Sequence, residues 1–133
     1  MAAETAELER FLAGETPASE LSHREHVRFA FLTLARYDFP ESVLRYSRAL
    51  AATAARAGAP EKFNQTQTLA FLSLIAERAA GCGGADFEAF AHAHPELFDR
   101  TLLGRWYGSE RLRSPLAHRT FLLPELPARL PGA

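Results

Sequence analysis

Cysteine, long apolar runs and an excess of basic charge are all scarce or missing in this sequence of 133 residues. Cys82 is the single cysteine, so the chain cannot form an internal disulfide or a multi-cysteine zinc site, and a reducing, cytoplasmic environment is expected. The 15 basic residues stand against 16 acidic ones, without the surplus typical of nucleic-acid-binding proteins. No apolar run approaches the roughly 18 residues of a membrane span, and the acidic N-terminus lacks a signal-peptide layout. We therefore expect neither nucleic acid nor a membrane as a partner.

Short motifs of several enzyme classes are absent as well. The sequence contains no Gly-x-Ser-x-Gly element, no phosphate-binding loop and no dinucleotide fingerprint, which disfavours the classes that depend on them. It also contains no alternating strand pattern of useful length and no internal repeat. The length suits one domain with one core. We therefore predict an all-α, single compact domain over residues 1–133, with four to five main helices and an irregular C-terminal segment.

Apolar residues at helical spacing, together with cap signals, predict where the main helices lie. Ser22 and Asp86 are typical N-caps, and Pro40 suits the first turn of a helix. Short helical pieces are also expected around residues 102–107 and after the Ser-Pro pair at 114–115, and the proline-rich residues 124–133 are predicted to form an extended tail. The main helices are expected to cover residues 4–13, 22–37, 38–58, 64–80 and 86–95.

The stretch LSHREHV, which opens the second helix, carries two histidines three positions apart. Ser22 caps the helix, and Glu25 is the reciprocal half of a capping box. His23 and His26 then project from neighbouring points of the face that continues into the core. Because a helix N-terminus disfavours positive charge, we expect two neutral imidazoles, which can ligate a metal or accept a proton.

Two interpretations of this pair stay open. In the functional one, His23 and His26 form half of a metal site or an acid–base pair at the mouth of a pocket between helices. In the structural one, both are partly buried, hydrogen-bonded side chains at a helix start. Catalytic zinc normally has three protein ligands, so two histidines alone do not decide between them.

A second polar cluster, FNQTQT, lies at the start of the fourth helix. Five consecutive uncharged polar residues stand where an apolar stripe is due, and Asn64 and Thr68 share a face one turn apart. Asn64 could cap the helix while Gln65 and Gln67 face water. Alternatively, Asn64, Gln65 and Thr68 supply directional hydrogen bonds to a small-molecule ligand.

The stretches LSHREHV, FNQTQT and LLGRWYGSERLRSPLAHR resemble the motifs of a family of small uncharacterised bacterial all-helical proteins, some of them associated with natural-product biosynthesis. The family pattern has a His-x-x-His helix start, then Tyr-His-x-Thr-x-Thr, then a C-terminal Leu-Leu-x-x-Tyr-Tyr-Ser-x-Glu-x-Leu stretch. His23, His26, Thr66 and Thr68 match this pattern. The resemblance spans nearly the whole chain and implies a shared polar site between helices.

Asn64 departs from the pattern, since it stands where the family has histidine. If the family site is a three-histidine metal centre, this chain lacks the third strong ligand, because an amide oxygen replaces imidazole poorly around zinc or copper. The resemblance then implies either a pocket without metal or a changed ligand set of His23, His26 and Glu25. The expected cofactor is accordingly none or a single divalent metal ion.

A third region, from Arg105 to Arg111, contains the only tryptophan together with paired charges. Arg105 or Arg111 could bind a carboxylate while the rings of Trp106 and Tyr107 form a pocket wall. A Trp-Tyr pair at a helix end also commonly anchors a terminal segment to the core. Both interpretations stay open, and Arg105 and Tyr107 are candidate substrate-binding residues in the first.

The remaining histidines and the cysteine give weaker signals. His92 and His94 lie at a predicted helix end, where a surface position is expected. Cys82 lies in the turn GCGG, and no sequence feature indicates an activated thiol.

These observations lead to two hypotheses of different classes. The first is a small-molecule-transforming enzyme of a biosynthetic pathway, in which His23 and His26 perform acid–base chemistry for a rearrangement, cyclisation or elimination. The second is a non-catalytic module that binds a small molecule or another protein. An alanine-rich face at residues 49–57 is compatible with the core or with a homodimer interface.

Overall fold

Helices account for most of the computed structural model, which describes residues 2–125 of the chain. No strand occurs in that range, so the predicted all-α class is confirmed. Only the start of the predicted extended tail can be compared with the structure. Residues 124 and 125 are non-helical, and residues 126–133 lie outside the described residues. The helices are α1 (Ala2–Leu12), α2 (His23–Arg36), α3 (Phe39–Arg56), α4 (Gln65–Ala80), α5 (Phe87–Ala93), α6 (Ser109–Leu112) and α7 (Pro115–Arg119).

Local cap chemistry explains where the principal helices begin. Ser22, Asp38, Asn64 and Asp86 each accept a hydrogen bond from the backbone N–H three residues further on, as N-caps do. One detail of the predicted capping box differs. The Glu25 carboxylate binds the Arg28 guanidinium, with 2.7 Å between Oε2 and Nε, because Arg28 lies one turn along the same helix.

The core lies where α2, α3 and α4 pack against one another. α1 lies across α2 and α3, α5 and the 3₁₀ turn Pro95–Phe98 pack on α2, and α7 packs on α4. Aromatic rings fill the centre of two of these contacts: Phe11 stacks on Phe29 between α1 and α2, and Phe31 packs on Phe90 between α2 and α5. The arrangement leaves a gap among the first turns of α2 and α4 and the second half of α3.

Part of the alanine-rich stretch at residues 49–57 faces the interior, and part of it is exposed. Ala49 is buried in the core, and a side chain added at Gly14 would meet the Ala52 methyl at 2.9 Å, so α1 ends tightly against this face. Ala54 and Ala57 lie beside the gap among α2, α3 and α4. Small side chains thus let α1 approach on one side and leave open space on the other. A homodimer stays a prediction.

Residues 120–123 form an irregular segment held by side chains of α4 and of the region before α7. Thr66 Oγ1 donates to the carbonyl oxygen of Thr120 at 2.7 Å and accepts from the backbone N–H of Leu122 at 3.0 Å. Tyr107 Oη donates to the carbonyl oxygen of Leu122 at 2.8 Å. The segment is therefore held against α4 through backbone atoms that no helix satisfies.

Within residues 2–125, no helix combines the length and the apolar character that crossing a membrane requires.

Candidate functional site

A cavity of about 490 Å³ occupies the gap among α2, α3 and α4. Its volume falls within the range of about 300–1,000 Å³ that holds small organic ligands. Most of its wall is apolar, with polar groups at a few points. The walls include the side chains of Leu21, His23, His26, Tyr46, Leu50, Thr53, Lys62, Phe63, Asn64, Gln67, Thr68, Phe71, Arg100 and Leu103.

The structure brings four of the predicted site residues together at this cavity and leaves four elsewhere. The second and fourth helices start side by side, which is why the two polar motifs meet. The residues that line the cavity are His23, His26, Asn64 and Thr68. Glu25, Gln65, Arg105 and Tyr107 do not line it.

His23 is held by the backbone of the Pro95–Phe98 turn. Its Nε2 lies 2.9 Å from the carbonyl oxygen of Leu97, and because a carbonyl oxygen only accepts, Nε2 carries the proton. The ring packs edge-on against Phe71, with 5.4 Å between ring centroids. In the neutral ring Nδ1 then holds the lone pair. The hydrogen bond to Leu97 and the contact with Phe71 therefore fix the orientation of the His23 ring.

His26 differs from His23 because its ring forms no hydrogen bond with the described residues. Its backbone carbonyl accepts a bond of 2.9 Å from Tyr46 Oη, but the imidazole itself faces the cavity. Burial, with smaller contributions from the nearby His23 and Arg100, lowers the pKa of His26 from 6.5 to about 4. At neutral pH the ring is therefore uncharged and its lone pair is available to a bound molecule.

The side chains of Asn64 and Thr68 form most of their hydrogen bonds with backbone groups of the protein. Asn64 Oδ1 accepts from the backbone N–H of Gln67 at 2.9 Å, and its Nδ2 donates to the carbonyl oxygen of Leu112 at 2.7 Å. Thr68 Oγ1 donates to the carbonyl oxygen of Asn64 at 2.7 Å. These hydrogen bonds cap α4 and attach it to Leu112. They also fix the positions of the two polar side chains at the cavity wall.

The predicted metal ligands do not converge. The Glu25 carboxylate is occupied by Arg28 and lies off the cavity wall, and His23 Nε2 is occupied by the Leu97 carbonyl. Across residues 2–125, no group of three or more His, Cys, Asp or Glu side chains is arranged to hold a metal ion. The residues present thus do not fit a divalent metal site built on Glu25 and the two histidines.

The other three predicted binding residues have different surroundings. Gln65 lies at a shallow groove between α3 and α4, beside Leu44 and Ser47. Arg105 is exposed, and Tyr107 is buried against the C-terminal segment through its bond to Leu122. Tyr107 therefore takes the anchoring role that was the alternative for this region.

Sequence reasoning missed several residues of the cavity wall. Tyr46 and Thr53 come from α3, Phe71 from α4, and Lys62 and Arg100 from connecting segments. Thr53 carried one signal, since it is the single polar residue within the run AATAA of α3. Arg100 carried none, because it lies in an irregular stretch whose position depends on the whole fold.

His94 is not simply a surface residue. Its Nε2 lies 3.7 Å from Cys82 Sγ and its Nδ1 3.5 Å from Glu96 Oε2, while Arg78 Nε binds the same carboxylate oxygen at 2.6 Å. The neighbouring Arg78 helps to lower the pKa of Glu96 although partial burial acts in the opposite direction. None of these side chains lines the cavity.

No known protein family, curated protein or solved structure matches this chain. The resemblance to the bacterial helical family therefore stays a prediction, and the geometry of the cavity carries the functional argument.

Proposed function

We propose that this protein binds a small, largely apolar organic molecule in the cavity and performs acid–base chemistry on it, with His26 as the proton acceptor. The observation that carries the proposal is the uncharged His26 ring, which faces a cavity of about 490 Å³ without a hydrogen-bond partner among the described residues. A rearrangement, a cyclisation or an elimination would suit such a site, since each needs a positioned base and no organic cofactor.

The surroundings of His26 support this role. His23 is fixed by Leu97, and the lone pair on its Nδ1 makes it a candidate for accepting a hydrogen bond from a bound molecule. Tyr46 Oη donates a hydrogen bond to the backbone carbonyl of His26. Burial raises the pKa of Tyr46, so its hydroxyl remains protonated. Asn64 and Thr68, each fixed by a hydrogen bond to a backbone carbonyl, line the same cavity.

A carbon-acid probe tests the proposal without knowledge of the natural substrate. 5-Nitrobenzisoxazole is small and neutral, and it opens when a base removes its ring proton. We expect the protein to accelerate this reaction above buffer and His26→Gln to lose about tenfold or more of the acceleration, since general-base catalysis supplies at least that much. His92→Gln, a change at an exposed histidine outside the cavity, is the control.

Stability measurements make the result specific. His26→Gln should unfold at nearly the wild-type temperature, because the ring has no hydrogen bond within residues 2–125 that the substitution could break. An acceleration that is equal in wild type and His26→Gln would refute the proposal.

The second candidate function is a non-catalytic module that binds a small molecule. It is favoured by the way His23, Asn64 and Thr68 are satisfied by backbone groups, as expected of side chains that shape a pocket. In that case the cavity still binds aromatic compounds, but the opening of 5-nitrobenzisoxazole does not depend on His26.

Elemental analysis of protein purified without a histidine tag tests the remaining prediction of a bound metal.

A further inference from the structure

The charged groups of the cavity are all of one sign. Of the described residues that line it, only Lys62 and Arg100 are charged, and no carboxylate joins them. Both side chains are exposed, and within residues 2–125 neither forms an ion pair. They come from different segments, the 3₁₀ turn Pro60–Lys62 and the stretch before Leu102, so the fold brings two exposed cations to the lining of one cavity. A cationic ligand is disfavoured there, and an anionic group is favoured.

The interior wall has the opposite character. Leu21, Leu50, Phe63, Phe71 and Leu103 provide apolar surface, and small side chains of α3 leave the space between them open. An apolar wall of this kind binds a ring system or a short aliphatic body by removing its surface from water. The expected ligand is therefore amphipathic, with its charge at one end.

Thr53 adds a hydrogen-bonding group to the apolar wall. Its side chain is buried, with 6% of its surface exposed, it lines the cavity, and its Oγ1 has no hydrogen-bond partner among the described residues. A buried hydroxyl without a partner is destabilising, so such groups are rare unless a water or a ligand binds them.

Other hydroxyl side chains in the helices show that this state is not forced on Thr53 by helical geometry. Thr33, Thr68 and Ser73 each donate to the carbonyl oxygen four residues earlier, at 2.6, 2.7 and 2.9 Å. Thr53 does not form the equivalent bond. In the observed rotamer Oγ1 is shielded from the cavity as well as from water, so a ligand would bind the hydroxyl after rotation about χ1, for which threonine in a helix has two wells.

We propose that the cavity takes an organic anion: an apolar body of the size of a fused two-ring aromatic, with an acid group bound by Arg100 and Lys62 and a hydroxyl or carbonyl group bound by Thr53. The inference rests on the proposed function, because it assigns a substrate class to the same cavity. Arg100 can hold a carboxylate through two parallel N–H groups, whereas Lys62 acts as a point charge. The acid group would lie beside these two cations and the apolar body beside His26.

Three naphthalene probes separate these contributions. 6-Hydroxy-2-naphthoate carries both groups, 2-naphthoate carries the acid alone, and 2-naphthol carries the hydroxyl alone. Titration calorimetry on the full chain should give the tightest binding for the first. We expect 2-naphthoate to bind about fivefold or more tightly than 2-naphthol, because its charge meets two cations of the protein.

Two variants assign the effects to residues. Arg100→Gln should weaken both naphthoates about fivefold and leave 2-naphthol unchanged, since only the anions lose a charged partner. Thr53→Val should weaken 6-hydroxy-2-naphthoate about fivefold and leave 2-naphthoate unchanged, since valine keeps the shape and removes the hydroxyl. Arg113→Gln removes the same charge at an exposed position off the cavity wall and should change none of the three.

The inference and the proposed function fail differently. If 2-naphthol binds as tightly as 2-naphthoate and Arg100→Gln changes neither, the anionic ligand class is overturned while binding in the cavity stands. If none of the three probes binds although 5-nitrobenzisoxazole is opened in a His26-dependent way, the ligand class is again overturned and the acid–base proposal stands. If the reaction does not depend on His26 but the naphthoates bind as expected, the ligand class is supported and the catalytic proposal is refuted.

Discussion

His26 illustrates how a single side chain depends on its surroundings. Its ring is withdrawn from water, lies near His23 and the Arg100 guanidinium, and has no carboxylate beside it on the cavity wall. Each of these features disfavours the protonated form. A bound anion would act in the opposite direction and raise the pKa of His26, which makes the ring a stronger base when a ligand is present.

The shifted pKa of His26 predicts a pH dependence of stability. The folded protein protonates His26 only near pH 4, whereas an unfolded chain does so near 6.5, so as the pH falls between these values the unfolded state gains a proton first. With respect to this group, the wild type therefore has its full stability above 6.5 and loses stability as the pH falls through about 4, a loss that a variant without the imidazole does not show. The shift corresponds to about 3 kcal/mol of unfolding free energy.

Urea unfolding of wild type and His26→Gln over this pH range measures the effect. The two proteins should be nearly equally stable above pH 6.5, and wild type should become less stable than His26→Gln as the pH falls towards 4, whereas the difference between wild type and His92→Gln should not change in this way. Equal pH dependence of wild type and His26→Gln would contradict the assigned surroundings of His26.

At the scale of elements, Arg28 joins α1 to α2. Its Nε binds Glu25 at 2.7 Å and its Nη2 binds Glu7 of α1 at 2.9 Å, with Glu4 at 3.8 Å from Nη1. Hydrogen bonding to Glu25 raises the pKa of the Arg28 guanidinium, and Glu7 adds to the effect. The side chain is only 13% exposed, so these pairs are screened less than ordinary surface pairs.

Removal of the Arg28 ion pairs should destabilise the packing of α1 against α2. Arg28→Met keeps the aliphatic stem but loses the three carboxylate partners, and we expect a loss of about 1–2 kcal/mol of unfolding free energy. Arg10→Met breaks the exposed pair with Glu20 and should cost about 0.5 kcal/mol or less. Chemical denaturation of both variants gives the comparison, and equal losses would show that the Arg28 cluster is no stronger than a surface pair.

Thr66 joins α4 to the segment of residues 120–123 in a similar way. It is fully buried and forms two hydrogen bonds to that segment. Thr66→Val keeps the shape of the side chain, so the expected loss of about 1–2 kcal/mol comes from the hydrogen bonds alone. Thr5→Val, at an exposed position of α1, is the matched control and should change the midpoint of thermal unfolding very little. A stable Thr66→Val variant would mean that solvent replaces both bonds.

At the scale of the whole molecule, the helix caps and the two polar helix starts were predictable from sequence, whereas the cavity residues from other segments were not. Ser22 and Asn64 act as caps through neighbours three residues away, so the sequence shows their role directly. From sequence, His26 and Asn64 are expected to share one site because each lies at a polar helix start, and both line the cavity. Thr53 and Arg100 lie far apart in sequence, and they share a wall only because three helices leave a gap there. Such a gap depends on all the packing contacts together, and no local pattern encodes it.

The bonds between Thr66 and the segment near residue 120 also bear on the order of folding. The two partners are 54 residues apart in the chain, so this contact closes a long loop and is expected to form after the helices have packed. In stopped-flow experiments, Thr66→Val should therefore accelerate unfolding and leave the refolding rate nearly unchanged. Slower refolding of Thr66→Val would place the contact in the folding nucleus instead. Late closure would mean that the first turn of α4, which carries the amide edge of the cavity, becomes rigid only in the last step of folding.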